Sequence, residues 1–241
     1  MAVTFQNLEW LEGGARLRTF IEELIANHSS RRICEIGAGP KPSVSPEMVQ
    51  KHDLHYAVVD ESAREAGLAN VAEHSVLDIC AENAEIPGGG YDMIIAQAVA
   101  EHFKDSTNAY TNIFNALAPG GLCVSTFSTL YSLPLLLNLL LPDCITDFLL
   151  YRFTSRSREH QGKFKAYYSH CRGPVKSQFK FFEGIGYEVL DYRGYFGHDY
   201  YRWKLPFLHF LEKKKTQLLL KMPIAYLTSG AMVILRRPSC A

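Results

Sequence analysis

The hydrophobic pattern of this chain switches repeatedly between two periods. Over residues 8–28, Leu8, Leu11, Leu17, Phe20, Ile21, Leu24 and Ile25 recur at three- and four-residue spacing, predicting helix broken near Gly13-Gly14. Short apolar runs then predict strands at 32–36, 55–59, 74–77, 91–96, 122–127 and 187–192, with a last strand over 225–235. Helical segments separate them. Residues 45–52 start with Ser45 as cap and Pro46 at the first helical position. A helix is also expected over 61–71, another over 105–117, stopped by Ala118-Pro119-Gly120-Gly121, and another from Pro174 to about Glu183. Strands alternating with helices imply a parallel sheet wound with helices on both faces.

Two stretches break this rhythm. Residues 129–173 are rich in leucine first and in Arg, Lys, Tyr and His later. Residues 196–223 mix aromatic and basic residues. Both follow predicted strands, where loops wall the ligand crevice of an open α/β sheet, so we read them as a lid that shapes a substrate pocket. Extra helices covering the core are the plainer alternative. The chain, residues 1–241, reads as a single domain.

Composition narrows the chemistry. The chain has 25 Lys plus Arg and 25 Asp plus Glu, so its net charge offers no electrostatic footprint for nucleic acid. The six cysteines lack Cys-x-x-Cys spacing, which argues for reduced thiols in a cytoplasmic protein and against a metal site. The N-terminus lacks the basic and apolar regions of a signal peptide. The low-charge stretch 125–141 falls short of the roughly 20 residues a membrane span needs. Leu133–Leu141, with leucines on nearly every side, reads as a buried helix. Beside those leucines, Lys213-Lys214-Lys215 could draw the protein to an anionic membrane, but a solvated face is the simpler reading.

The candidate site begins at Glu35-Ile36-Gly37-Ala38-Gly39, where an apolar strand carrying one acid enters a Gly-x-Gly turn. A turn without side chains lets a ligand approach the backbone, and Asp60, at the end of the second strand, is placed to accept both hydroxyls of a ribose. Glu35 is an acid inside a strand, so it needs partners: loop amides or a ligand ammonium. Asp60 could instead cap a helix, and Asp78 could be only a turn residue. A dinucleotide dehydrogenase would want glycine or alanine three residues after Gly39, and Pro42 stands there.

Five ordered elements resemble the class I S-adenosylmethionine-dependent methyltransferases: Glu35–Gly39, Asp60, Asp78-Ile79, Tyr91–Ile95, and Leu117–Gly121. Ala100-Glu101-His102-Phe103 is also common in that family. The resemblance covers residues 30–128 by motif and 174–237 by layout. It implies a Rossmann-like, doubly wound, seven-stranded and mostly parallel sheet with an antiparallel last strand. It also implies S-adenosyl-L-methionine as cofactor. Glu35, Gly37, Ala38, Gly39, Asp60, Glu61, Asp78, Ile79 and Gln97 would then bind the cofactor. One departure is Lys41, flanked by Pro40 and Pro42, where the family often has a third glycine.

Methyl transfer from a sulfonium needs alignment and desolvation more than acid–base machinery, so the sequence names no certain catalytic residue. His102, His170 and His198 are candidate bases for an acceptor that must lose a proton. Tyr167, Tyr168, Arg172 and Tyr200 are candidate substrate contacts, with Arg172 able to fork onto a carboxylate or phosphate. The expected activity is in-line methylation of a small, partly apolar molecule at O, N or C. Alternatives are a non-catalytic adenosyl-binding scaffold and a membrane-associated lipid or quinone methyltransferase.

Overall fold

A computed structural model describes residues 2–8, 15–39, 42–61, 71–130, 165–198, 202 and 205–239. Its frame is one sheet built from β1 (Ala2–Asn7), β2 (Arg32–Ile36), β3 (His55–Asp60), β4 (Glu73–Val76), β5 (Tyr91–Gln97), β6 (Leu117–Ser128), β7 (Glu188–Phe196) and β8 (Gly230–Arg236). The strand order is β1-β7-β8-β6-β5-β2-β3-β4. β8 runs antiparallel to both β6 and β7, and every other pairing is parallel.

The seven predicted strands are all present, and the last is antiparallel as expected. The structure adds an eighth. β1 pairs with β7 from Ala2↔Asp191 to Asn7↔Phe196 and lengthens one edge of the sheet. Phe5 stacks on Phe196, with ring centroids 5.5 Å apart. The final strand also starts later than its apolar run suggested. Residues Ala225–Leu227 form a short 3-10 turn, and pairing begins only after Ser229 N–H donates to Tyr195 O (2.7 Å).

Among the described residues, five helices flank the sheet: α1 (Ala15–Asn27), α2 (Pro46–His52), α3 (Ser106–Ala116), α4 (Lys176–Ile185) and α5 (Pro206–Lys221). Their caps follow the sequence. The Ser45 hydroxyl accepts from Met48 N–H with Pro46 in the first turn. Asp105 caps α3 by accepting from Asn108 N–H (3.0 Å). Gly186 closes α4 at φ +115°, a left-handed conformation that suits glycine. The helix expected over 61–71 lies almost wholly outside the described residues, as do Gly13-Gly14 and Leu133–Leu141.

Strand alternation divides the core in two. Ile33, Tyr56, Val58, Met93, Ile95, Leu122 and Val124 pack on Leu17, Ile21, Ile25 and Met48 of α1 and α2. Cys34, Ala57, Ile94, Cys123 and Phe127 pack on Tyr110, Ile113 and Phe182 of α3 and α4. On that second side Tyr110 meets Phe103, Phe181 and Phe182 edge-on at centroid distances of 5.1–5.9 Å, a favourable quadrupole geometry. Asp92 ties the sheet together at its amino edge, accepting from Arg31 N–H (2.8 Å) and Arg32 N–H (2.9 Å).

Candidate active site

The carboxyl ends of β2, β3 and β5 lie side by side, because β2 is hydrogen-bonded to both of the others. On β2, Glu35 shares the face of Ile33, and on β3, Asp60 shares the face of Tyr56 and Val58. Glu35 is 1% exposed, and burial alone would push its carboxyl well above the usual range. Four hydrogen bonds oppose that. Ser43 N–H donates to both carboxylate oxygens (2.9 and 3.0 Å), the Ser43 hydroxyl donates to Oε1 (2.7 Å), and the Tyr56 phenol donates to Oε2 (2.6 Å). Burial and the nearby carboxylate raise the Tyr56 phenol too, which keeps it a donor. Glu35 therefore meets the loop amide expected of it, and it pins the return of the glycine loop onto the strand it left.

Gly37 and Gly39 both take positive φ, +65° and +56°. A Cβ on Gly37 would sit 2.7 Å from Val99 Cγ2, whereas one on Gly39 would meet nothing within 4 Å. The two glycines thus serve different needs. Gly37 lets the segment after β5 close over the turn, and Gly39 faces open space. Gly37 N–H donates to Val59 O (2.8 Å), which links the turn to β3. Ala38 between them is buried.

Asp60 ends β3 with a largely buried carboxylate 3.9 Å from His74 Nε2 of β4. Glu61 follows, exposed, with its carboxylate 3.6 Å from Lys104 Nζ. Glu61 first and then Asp78 raise the Lys104 ammonium, so these three charges lie near one another beyond the end of β3. Asp78 accepts from Cys80 N–H (2.9 Å), and the buried Ile79 carbonyl accepts from the Asn112 amide (2.9 Å). Asn112 also bonds Ala81 O (2.8 Å), so α3 holds the Asp78-Ile79 turn in place. Gln97 ends β5, and its side-chain oxygen touches the Ser43 hydroxyl. The loop fixed by Glu35 and the tip of β5 are therefore joined.

Beyond Gln97 the chain enters a 3-10 turn over Ala100–His102. Glu101 is buried there, and burial pushes its carboxyl up. Its backbone oxygen accepts from both Tyr167 N–H (2.8 Å) and Tyr168 N–H (3.1 Å). One carboxylate oxygen lies 3.4 Å from Ser128 N, and the other is buried without a hydrogen-bond partner. Glu101 thus joins the tips of β5 and β6 to the 165–171 strip. His102 Nδ1 bonds Lys165 O (2.9 Å).

The remaining predicted residues fall in three places. Tyr167 and Tyr168 stay with Glu101, while one Arg172 nitrogen donates to Tyr168 O (2.9 Å) and Cys171 O (3.2 Å), which bends its own loop. His170 stacks on Phe181 of α4 (centroids 3.8 Å apart), and burial lowers its pKa. His198 lies at the other flank of the sheet, in a cavity of about 240 Å³ beyond β1 and β7 lined also by His209, Glu212 and Thr216. Its Nε2 is 3.6 Å from Glu212 Oε2. Tyr200 lies outside the described residues. Sequence reasoning passed over Ser43, Tyr56, Val99 and Asn112. Alternation could have found Tyr56, which sits on the Glu35 face of the adjoining strand, but only the fold brings in the other three.

A methyltransferase-domain family model matches residues 9–166, more than half of the chain. No curated protein matches. Solved structures share the fold at low identity. A candidate sarcosine dimethylglycine methyltransferase from Galdieria sulphuraria aligns at 14% identity and TM-score 0.52, covering 95% of this chain and 86% of its own. The CMeT domain of the citrinin polyketide synthase aligns at 15% identity and TM-score 0.54, covering 94% of this chain and 52% of its own. The StiE O-MT structure aligns at 14% identity and TM-score 0.51, covering 92% of this chain and 74% of its own. A glycine turn held open by a caged acid, a strand-end aspartate beside it, and this family match make the chain a class I S-adenosylmethionine-dependent methyltransferase.

Proposed function

We propose that this enzyme methylates a small, partly apolar molecule held above the tips of β5 and β6. The observation that carries this reading is the joined cluster of Glu35, Ser43 and Gln97 beside Asp60, all at the carboxyl ends of parallel strands. The positively charged sulfonium of the bound cofactor supplies an activated methyl group.

The chain's own residues have distinct tasks. Asp60 accepts the ribose hydroxyls. Glu61 and Lys104 border the sugar side, and the Asp78-Ile79 turn takes the adenine, with the acid on its amino group and Ile79 against the ring. Gly37, Ala38 and Gly39 line the methionyl part, and the open space at Gly39 gives it room. Glu35 holds the loop and supplies negative charge beneath the ammonium. Gln97 orients the same end.

His102 is the best-placed base, since it follows the tip of β5 directly. Lys165 O can only accept, so His102 carries its proton on Nδ1, and its basic nitrogen is Nε2. His170 stacks against α4 and His198 lies at the far flank, so neither shares this position. Tyr167, Tyr168 and Arg172 form the acceptor wall, tied to Glu101. Cys34, Cys80, Cys123 and Cys171 are free thiols, which supports a reducing, cytoplasmic setting. Among the described residues no helix is long and apolar enough to cross a membrane.

Titration calorimetry with S-adenosylhomocysteine tests the cofactor side, and absence of binding by the folded protein overturns it. Turnover of a panel of small hydroxyl, amine and enolisable acceptors tests the substrate class. A preference for protein or nucleic-acid substrates over the whole panel would remove the small-molecule reading.

A further inference from the structure

We infer that α5 and the segment following it dock on an anionic lipid bilayer. An ordinary surface helix turns its apolar stripe to the core and its polar face to water. α5 does the reverse over most of its length. His209, Glu212 and Thr216 face inward, with Leu219 completing that stripe. The opposite stripe is Phe207, Phe210, Leu211, Lys214, Leu218 and Lys221, at helical spacings of three, four, seven, eleven and fourteen from its first member. Phe207 is 69% exposed, Phe210 54% and Leu218 59%. The patch continues through Met222, Ile224, Tyr226 and Leu227, all exposed. Apart from Val3 and Val76, every exposed large hydrophobic residue of the described chain lies between 207 and 227. Such a concentration marks an interaction surface.

Charge selects the occupant. Lys214 and Lys221 lie on the apolar stripe, Lys215 flanks it beside Glu212, and Lys213 lies at the rim of the His198 cavity. The one acid between 206 and 227 is Glu212, which turns inward to His198 and also takes Lys215 (2.6 Å). A second copy packed symmetrically on this face would set lysine against lysine with no carboxylate between them. Acidic headgroups meet the lysines, while their methylene stems and the neighbouring rings enter the acyl boundary. Lys214 already lies along the Phe210 ring, 5.6 Å from its centroid. α5 packs on β1 and β7, at the flank of the sheet opposite β3 and Asp60.

Co-sedimentation with vesicles tests this. Wild type should bind phosphatidylglycerol-rich vesicles roughly tenfold more tightly than phosphatidylcholine vesicles, with binding lost in high salt. Phe210→Glu with Leu218→Glu should abolish binding to both, and Lys213→Glu with Lys214→Glu and Lys221→Glu should abolish the anionic preference. Circular dichroism and thermal melting confirm that each variant is folded, independently of any cofactor reading. The proposal is overturned if wild type ignores anionic vesicles, if the Phe210/Leu218 variant still binds, or if ultracentrifugation shows a dimer that Leu218→Glu dissolves.

Discussion

Glu35 and Glu101 are both buried glutamates at the carboxyl edge of the sheet, yet the fold provides for them in opposite ways. Glu35 receives four hydrogen bonds from Ser43 and Tyr56. Glu101 has a long 3.4 Å contact from Ser128 N, the imidazole of His102 nearby, and one oxygen buried without a hydrogen-bond partner. Burial raises both carboxyls. The difference lies in what each residue holds. Glu35 organises the glycine loop through its side chain, so its hydrogen bonds are the working part. Glu101 organises the 165–171 strip through its backbone carbonyl, and its side chain bears a desolvation cost that Ser128 and His102 offset only in part.

The same substitution at the two positions should therefore act in opposite directions. Glu35→Gln would aim an amide N–H at groups that already donate. It should cost roughly 2–4 kcal/mol of stability in urea unfolding and take S-adenosylhomocysteine binding with it. Asp60→Ala should leave the fold intact and weaken that ligand by about 2 kcal/mol, or roughly 30-fold in calorimetry, because two ribose bonds lose their acceptor. Gly37→Ala forces an L-residue to φ +65° against Val99 and should cost about 1–2 kcal/mol, read as a lowered melting temperature. The smallest effect belongs to Glu101→Gln, which keeps the Ser128 contact and removes the buried charge. It should stabilise the protein at neutral pH by up to about 1 kcal/mol. A loss of stability there would show that the contacts from Ser128 and His102 outweigh the desolvation of the Glu101 carboxylate.

The pH dependence sharpens the contrast. A carboxyl raised in the folded state holds its proton more tightly folded than unfolded. Stability then falls as pH rises from the ordinary glutamate value, about 4.3, through the raised one, and is level above it. Glu101→Gln should remove its share of that fall in unfolding measured across this window. An unchanged pH profile would show that Glu101 is not raised.

Much of the fold was legible because strand and helix periods are local. Seven strands, the Ser45 cap and the glycine turn all follow from residues within a few positions of one another. β1 was missed because the alternation of Val3 and Phe5 with Thr4 and Gln6 is too short to stand out, and the segment is a strand only by pairing with β7, nearly 190 residues away in the chain. The late start of β8 has the same cause, since its apolar run enters the sheet only where Tyr195 offers a carbonyl. In the site, Glu35, Gly37, Gly39, Asp60 and Gln97 were visible from motif and strand ends. Ser43 and Asn112 were not, because they act through side chains that only the folded chain brings to Glu35 and to the Asp78 turn. The histidines show the opposite error. His102, His170 and His198 looked equivalent, and the fold separates them by sheet position and by packing.

By itself, the order of apolar runs, glycines and strand-end acids determined the doubly wound sheet and the edge that carries the glycine turn and Asp60, because backbone geometry ties those residue types to fixed places. Only tertiary structure decided which buried acid is caged, which histidine adjoins the tip of β5, and that α5 turns its polar side inward. Those outcomes depend on which distant groups arrive at van der Waals distance, and no local period encodes that.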